Sequence, residues 1–410
     1  MTHKHIIAFL LATLAISSAQ AYTHQLDSIV RTAEDGISKF EPIYDTQMQA
    51  YGYTHYVRNG KGWDNHARTL FEHDANGNCT TIATYLWRNN TWAETTQETF
   101  MYNAQNLITE HAIRQNSSNG WNDSVKSIYN YDAYGRPTSE IHYKAQDGTL
   151  QYSKKSEYTY RENTVTTLNY SGLPGQIWKV ADRITNTYAN NKLTSSIYEI
   201  NFNSNWLTSY KYEYEYTASV IIEKRYNYIS DTEWKLKAQK CYFYNDAGQE
   251  IGYSETIDGS KKDSTMRTYT TQGDLETYAR YAISAGSWNK TYDETYTHAN
   301  TPTDHCAGAA FAQQQITTAG QHAQIVATFV RNENGKPTCT DTYYIHALQP
   351  TKLADSILTD IYAANGRIFS STPMRIYTLT GIDVTAQNGQ LRGIYIVVQS
   401  DGQTAKIVVK

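Results

Sequence analysis

The stretch that decides the fold reads Ser-Val-Lys-Ser-Ile-Tyr-Asn-Tyr over residues 124–131, then Asp-Ala-Tyr-Gly over residues 132–135. Alternate residues of the first run share one face, which is strand periodicity: Val125, Ser127, Tyr129 and Tyr131. Asp132 can accept backbone N–H groups with its side chain, and Gly135 tolerates a positive φ, so these residues predict a turn. A return strand from Thr138 to Lys144 completes a β-hairpin.

This hairpin pattern repeats along the chain. The second aromatic of each aromatic-x-aromatic pair, or its replacement, falls at Tyr44, His73, Tyr102, Tyr131, Tyr160, Tyr188, Tyr216, Tyr244, Thr270 and His298. Tryptophans follow the same period of 28–29 residues, at Trp63, Trp92, Trp121, Trp178, Trp206, Trp234 and Trp288. Two independent markers with one period indicate a repeat architecture. We therefore predict an all-β fold, with an elongated array of about ten antiparallel β-hairpin repeats over residues 40–300.

The composition supports a packed β-protein. The 410 residues include 36 Tyr but only 9 Phe, and 13% are aromatic, which is unlike a disordered chain. We expect neighbouring tyrosine rings to form a ladder across the sheet. With a net charge of -4, nucleic acid is not indicated as a partner.

The repeated Tyr-x-Tyr-Asp-x-x-Gly pattern, with Asn76-Gly77 and Gly248 in the same turn, resembles the YD or RHS type of repeat. It is still closer to the Trp-anchored hairpin repeats of secreted Bacteroidota proteins. This resemblance implies a spiral or shell of β-strands. At about ten units, we expect this array to be too short to close a large shell.

The N-terminus reads as a secretory signal peptide covering residues 1–21. A basic start precedes an apolar run from Ile6 to Ile16, and Ala19-Gln20-Ala21 is a typical cleavage site with Ala21 at its end. No apolar run is long enough to predict a transmembrane helix. The following residues, 22–39, are apolar at Leu26, Ile29, Val30 and Ala33, which favours a short helix or cap.

The C-terminus, residues 351–410, contains three short apolar strands separated by turn signals at Asn388-Gly389 and Asp401-Gly402. Their order and spacing resemble the type A C-terminal sorting domain of the Bacteroidota type IX secretion system. The residues that carry the resemblance are Tyr377, Gly381, Gly393, Tyr395, Lys406 and Lys410. The resemblance implies a small β-sandwich, an outer-membrane translocon and its sortase as partners, and a protein that is secreted or anchored at the cell surface.

Between the array and this domain, residues 301–350 are predicted to form a β-rich cap or linker domain. Their strands are expected at Gln324–Arg331 and Thr338–His346, with Asn334-Gly335 as the turn. Export permits disulfides, and Cys306 and Cys339 are close enough in sequence to pair. The alternative is that all four cysteines are buried thiols.

Sequence motifs for catalysis are absent, and no catalytic residue or cofactor is predicted. Asp74-Ala-Asn-Gly-Asn78 is interpreted as a turn rather than a calcium loop. The spacing of Glu213 and Glu215 does not indicate a catalytic carboxylate pair. The spacing of a second set does not indicate a metal site: His305, Cys306, Cys339 and His346.

The seven periodic tryptophans are the candidate binding residues, for an unknown glycan or protein ligand. They could instead staple each turn to the next hairpin. We therefore interpret the chain as an exported, non-catalytic binding or adhesion protein. An exported hydrolase with its site in residues 301–350 and a purely structural surface spacer remain as alternatives.

Overall fold

The computed structural model of the chain describes residues 22–46, 48–172, 178–314, 322–348, 362–364, 366–370, 373–378, 382–399 and 404–409. It divides into two compact units, residues 1–346 and 347–410. The predicted signal peptide, including Ala21, lies outside the described residues.

The N-terminal unit is built from strands joined mostly by short turns. Its first part contains β1 (His24–Ala33), β2 (Gly36–Tyr44), β3 (Ala50–Asn59), β4 (Gly62–His73), β5 (Cys79–Arg88), β6 (Thr91–Tyr102), β7 (Ile108–Ser117), β8 (Gly120–Tyr131), β9 (Pro137–Gln146), β10 (Thr149–Arg161) and β11 (Thr164–Ser171). Its second part contains β12 (Lys179–Ala189), β13 (Lys192–Phe202), β14 (Asn205–Tyr216), β15 (Val220–Ser230), β16 (Glu233–Tyr244), β17 (Glu250–Ile257), β18 (Ser260–Tyr269), β19 (Leu275–Ser284), β20 (Ser287–Pro302), β21 (Cys306–Ala307), β22 (Gln324–Glu333) and β23 (Lys336–Ala347).

Two short helical segments lie between β20 and β22. They are a 3₁₀ turn at Thr303–His305 and helix α1 (Ala309–Gln314). In the part of the chain that is described, no helix has the length and apolar character needed to cross a membrane.

The strand pairing closes on itself. Each strand from β1 to β20 pairs with the next one in an antiparallel ladder, β20 continues to β22 and β23, and β23 pairs with β1. The result is a 22-stranded antiparallel barrel, to which the two residues of β21 add a short parallel pairing with β1. Arg31 on β1 marks the closure, because its Nε and Nη2 donate hydrogen bonds of 2.8 and 2.7 Å to the Asp341 carboxylate on β23.

The prediction of an elongated, open hairpin array is therefore wrong, although the all-β class and the antiparallel hairpins are as predicted. A repeated irregularity supplies the curvature. In the β5–β6 pair the register shifts between Thr84 and Tyr85, so Thr95 has no partner residue on β5. Thr95 stands three positions after Trp92. The residue three positions after each of the other periodic tryptophans is bulged in the same way: His66, Ser124, Ala181, Ser209, Lys237 and Thr291. A β-bulge bends its strand and increases the local twist, so periodic bulges curl the sheet.

The inner face of the barrel can be identified from the side chains that pack around helix α1. Phe311 of the helix belongs to one buried cluster that draws residues from β1, β19, β20, β22 and β23, with partly buried neighbours from β2, β3 and β18. Side chains from so many neighbouring strands can meet at one helix only on the concave side of a closed sheet. We call this side the inner face. Its most buried members are Leu26, Ile29, Leu275, Tyr296 and Phe329.

Two segments differ from their predictions because they belong to this closure. Residues 22–39 form β1 and β2 rather than a helix or separate cap. Their apolar residues are spaced as in a helix, but tertiary pairing with β23 outweighs that local signal. Residues 324–347 form the predicted hairpin, with Asn334 and Gly335 at positive φ, yet its strands are the last two of the barrel rather than a separate domain.

A recurring hydrogen bond accounts for part of the tyrosine excess. In four repeats the tyrosine hydroxyl donates to a backbone carbonyl 23 residues earlier in the chain, at distances of 2.7–2.9 Å. The pairs are Tyr102–Cys79, Tyr131–Ile108, Tyr160–Pro137 and Tyr216–Leu193. A phenylalanine ring can fill the same space but cannot donate this bond. Ring contacts across strands also occur, as between Tyr198 and Tyr210, whose centroids are 4.7 Å apart.

Replacing Tyr131 with phenylalanine should lower the free energy of unfolding by about 1 kcal/mol, because the Ile108 carbonyl loses its hydroxyl donor. Urea unfolding measures this loss. Tyr134 is the matched control, because its side chain is 84% exposed in the adjacent turn and Tyr134→Phe should change nothing measurable. Equal effects of the two substitutions would contradict the role given to the hydroxyl.

His55 gives the barrel a pH dependence. Burial, together with His66 and Arg31, lowers the pKa of His55 from 6.5 to about 4, and its ring stacks on Phe40 at 4.5 Å. The unfolded chain therefore binds the proton more readily, and stability is lost as pH falls from 6.5 towards 4. His55→Gln should flatten the fall of Tm in that window, whereas His73→Gln, at an exposed position, should not. An unchanged pH profile in His55→Gln would contradict this prediction.

The C-terminal unit contains two small sheets. One pairs β24 (Tyr362–Ala364) with β25 (Arg367–Phe369), and the other has the order β26 (Met374–Thr378), β27 (Gly393–Gln399) and β28 (Thr404–Val409). They share one core of Ile368, Ile376, Val384, Leu391, Val397 and Val409. The three predicted apolar strands are thus present, but a two-stranded and a three-stranded sheet replace the expected β-sandwich.

Candidate binding site on the tryptophan row

The seven periodic tryptophans share one position in the barrel. Six of them are the second residue of an even-numbered strand, and Trp178 directly precedes β12. Even-numbered strands up to β20 all start at the same end of the barrel, because neighbouring strands are antiparallel. Ile29 and Phe40 face the inside of the barrel. When the strand pairing is followed from them around the barrel, the tryptophan side chains fall on the opposite, outer face of the sheet. The tryptophans therefore lie near one rim, and we call this set the tryptophan row.

Most rings of the row carry a cation against one face. The contacts between cation and ring centroid are Lys39 and Arg58 to Trp63 at 5.1 Å each, Arg68 to Trp92 at 4.5 Å, Arg114 to Trp121 at 4.6 Å, Arg183 to Trp206 at 4.3 Å and Lys211 to Trp234 at 4.6 Å. A cation within about 6 Å of a ring centroid is attracted by the quadrupole of the ring. The row is thus an alternation of indole rings and positive charges.

The cations link successive hairpins. Arg68 on β4 reaches across β5 to Trp92 on β6, and Lys211 on β14 reaches across β15 to Trp234 on β16. This geometry matches the stapling alternative in part, since four of the rings pack against a basic side chain of the preceding repeat. The rings nevertheless stay only half-buried, and Trp288 is 40% exposed. The row can therefore staple hairpins and still present aromatic surface to a ligand.

Sequence reasoning missed the cations and an eighth tryptophan. A basic residue stands 23 or 24 positions before Trp63, Trp92, Trp206 and Trp234, and this spacing could have revealed the pairing. Trp87 faces Trp92 directly across the β5–β6 hairpin, with ring centroids 4.9 Å apart. Trp87 stands five residues before a periodic tryptophan, across a short turn, and this position could have indicated that the two rings meet.

The rest of the outer face is rich in ion pairs. Lys39 lies 2.6 Å from Glu41, Lys155 lies 2.6 Å from Glu157, and Arg183 lies 2.6 Å from Glu199. Glu41 and Glu199 leave Lys39 and Arg183, two cations of the row, locally neutralised rather than strongly positive. Charged side chains in the middle of a strand are costly against lipid, so this face suits contact with water or a polar ligand.

The other candidate residues are not gathered into a site. Glu213 and Glu215 lie on the outer face and pair with Lys211 and Lys224, so they do not face each other across a cleft. The Oδ1 of Asp74 accepts the backbone N–H groups of Asn76 and Asn78, at 2.9 Å each, as the turn interpretation requires.

The possible pairing of Cys306 with Cys339 is not present, because all four cysteines are free thiols. Cys306 packs with Ala309 and Ile325, whereas Cys339 belongs to the cluster around α1. Among the residues described, neither thiol joins His305 or His346 in a metal-binding group, and His346 is instead 2.7 Å from Asp27.

Of the sorting-signal residues, Tyr377 lies in β26, Gly393 and Tyr395 in β27, and Lys406 in β28. The Tyr395 hydroxyl donates to the Arg392 carbonyl at 3.0 Å, so it holds the start of β27. Gly381 and Lys410 lie outside the described residues.

No family model and no curated protein matches this chain. Among solved structures, a porin-like protein of Bacteroides uniformis is 10% identical, with 78% of this chain and 96% of that chain covered and a TM-score of 0.24. A porin-like protein of Bacteroides vulgatus is 10% identical over 58% of this chain and 98% of that one, with a TM-score of 0.27. A DUF3836 family protein of Bacteroides vulgatus is 21% identical over 27% of this chain and 89% of that one, with a TM-score of 0.14. TM-scores this low do not establish a shared fold, and identities this low do not establish a shared function.

Proposed function

We propose that the chain is an exported, non-catalytic surface protein that binds a glycan or a protein partner along the tryptophan row. The observation that carries the proposal is the register of the row: half-exposed indole rings recur near one rim, each at the same position of its hairpin. Aromatic rings and arginine are the side chains that dominate binding surfaces, because they offer a large apolar area beside a polar group.

A repeated row favours an extended ligand with repeated chemistry. Each ring offers a flat apolar face, and the neighbouring Lys or Arg offers hydrogen-bond donors to hydroxyl or carboxylate groups. Contacts of this kind are weak individually, but several linked contacts raise the apparent affinity by avidity. A polysaccharide or an elongated protein surface satisfies this requirement better than a small molecule.

Delivery to the surface is proposed from the sequence. The signal peptide at residues 1–21 and the resemblance of residues 351–410 to a type IX sorting domain support export through an outer-membrane translocon and its sortase. Removing residues 405–410 should then retain the protein inside the cell envelope. Normal surface delivery of that truncated chain would reject this route but would leave the binding proposal intact.

Screening the chain on glycan and protein arrays tests the binding proposal. Substitution of both Trp92 and Trp121 by alanine should reduce binding to any ligand found by at least 10-fold (about 1.4 kcal/mol), because two adjacent rings of the row are lost. Tyr134→Ala is the matched control, an exposed aromatic at the opposite rim, and should bind normally.

Unfolding of the same variants separates binding from stapling. The ring of Trp92 contacts Trp87 and Arg68, so some loss of stability is expected. If the double variant loses several kcal/mol of stability while the folded fraction binds normally, the row is architecture and the proposal fails.

A further inference from the structure

Three metal-ligating side chains meet at the inner face of the barrel. Asp274 lies in the turn before β19, His298 lies on β20, and His322 lies two residues before β22. One ligand atom from each residue falls within 4.8 Å of the other two. Asp274 is fully buried and His322 is 3% exposed.

Two polar atoms of this cluster lack a partner. Within the described part of the chain, Oδ2 of Asp274 and Nε2 of His322 are buried without a hydrogen bond. Buried polar atoms normally make a hydrogen bond, because an unpaired one loses its bonds to water and gains none in the protein. The unpaired Oδ2 of Asp274 lies beside two imidazoles, so it is available as a ligand atom for a cation.

The surrounding contacts orient the cluster. Oδ1 of Asp274 accepts the backbone N–H groups of Ala323 and Gln324, the second at 3.1 Å, which leaves Oδ2 free to bind an ion. The ring of His322 lies against Tyr296, with centroids 5.1 Å apart. Outer contacts of this kind hold metal ligands in a fixed orientation.

We propose that Asp274, His298 and His322 form a binding site for a divalent transition-metal ion of the zinc type. His298 Nε2 and His322 Nδ1 are 2.9 Å apart and share a hydrogen bond, which an ion bound between them would replace. Two nitrogens bound at about 2.0–2.1 Å with tetrahedral angles are about 3.3 Å apart, so a small widening admits the ion. Two imidazoles and one carboxylate are the donor set that such ions accept, with a fourth position left for water.

The ion would fasten the segment that carries α1. Asp274 directly precedes β19 and His298 lies on β20, whereas the His322 carbonyl accepts a hydrogen bond of 3.0 Å from Gln313 of α1. Bridging the three residues would hold His322, and α1 bonded to it, against β19 and β20, which adds a stabilising contact only in the folded chain.

Titration of the full chain, without a polyhistidine tag, with Zn²⁺ tests the site. One ion per chain should bind with a Kd at or below about 1 μM, and Tm should rise with Zn²⁺ concentration. His322→Ala and His298→Gln should each weaken binding by more than about 100-fold, since even outer contacts of metal sites are worth 10–100-fold. His111→Gln is the matched control, another inner-face imidazole, and should bind as the unmodified chain does.

Co²⁺ provides a readout that does not depend on the variants folding. Its visible absorption should show a four-coordinate site without the near-ultraviolet band of thiolate ligands. A thiolate band would assign the ion to a cysteine and overturn the proposal. Failure of the unmodified chain to bind Zn²⁺, or equal affinity in His298→Gln and the unmodified chain, would overturn it as well.

Discussion

Replacing Asp341 with alanine should destabilise the barrel by about 3–5 kcal/mol, the usual cost of leaving one partner of a buried ion pair alone. The Asp341 side chain is fully buried, and the Arg31 side chain is 28% exposed. Arg31 donates to both carboxylate oxygens, and its pKa is raised above the ordinary value by this bond. The variant keeps the charge of Arg31 at the inner face without its counter-ion.

Thermal and urea unfolding measure this loss. The matched control is the ion pair of Lys237 with Asp258, whose side chains are 38% and 54% exposed at the surface. Asp258→Ala should hardly change stability, because exposed pairs contribute little.

A double-mutant cycle turns the same pair into a test of closure. Arg31 and Asp341 are 310 residues apart in sequence, so they interact only if β1 and β23 meet. In a closed barrel, Arg31→Met combined with Asp341→Leu should cost far less than the sum of the single changes. Additive effects, within about 0.5 kcal/mol, would show that the two ends are apart and that the array is open.

Local structure could be predicted from the sequence because local pairing determines it. The Asp132 side chain accepts the N–H groups of Tyr134 and Arg136 at 2.9 and 3.0 Å, as its place before Gly135 indicated. The aromatic period likewise located every hairpin of the repeat and the common register of the tryptophans. Alternation and turn residues act within about ten positions, which is the range that a pattern can cover.

Closure could not be predicted in the same way. It depends on bulges such as that at Thr95, which look like ordinary strand residues, and on one pairing between the two ends of the unit. Curvature accumulates strand by strand, and whether the ends finally meet is a property of the whole sheet. The cations of the row were missed for a related reason, since Arg68 and Trp92 belong to different hairpins. Likewise, Asp274 and His322 come together only because β19 and β22 pair with the two edges of β20.

The second large effect is expected for Phe329→Ala, which should lower the free energy of unfolding by about 3–5 kcal/mol. Phe329 is 1% exposed, its ring lies 5.2 Å from that of Tyr296, and both belong to the cluster around α1. A cavity at this point removes contacts to several strands at once. The closing side of the barrel, from β18 through β23 to β3, contains this cluster and should be its most stable part.

Phe243→Ala on β16 is the matched control, because the same side chain there is 39% exposed on the outer face. Its truncation opens no cavity, so the loss should stay within about 0.5 kcal/mol, as for ordinary surface changes. Amide hydrogen exchange of the unmodified chain should show the same contrast, with slower exchange in β20 and β22 than in β13 and β14. If the two phenylalanine variants lose equal stability and amide exchange is uniform around the barrel, all repeats contribute equally to its stability. In that case the cluster at the closure is not what holds the barrel together.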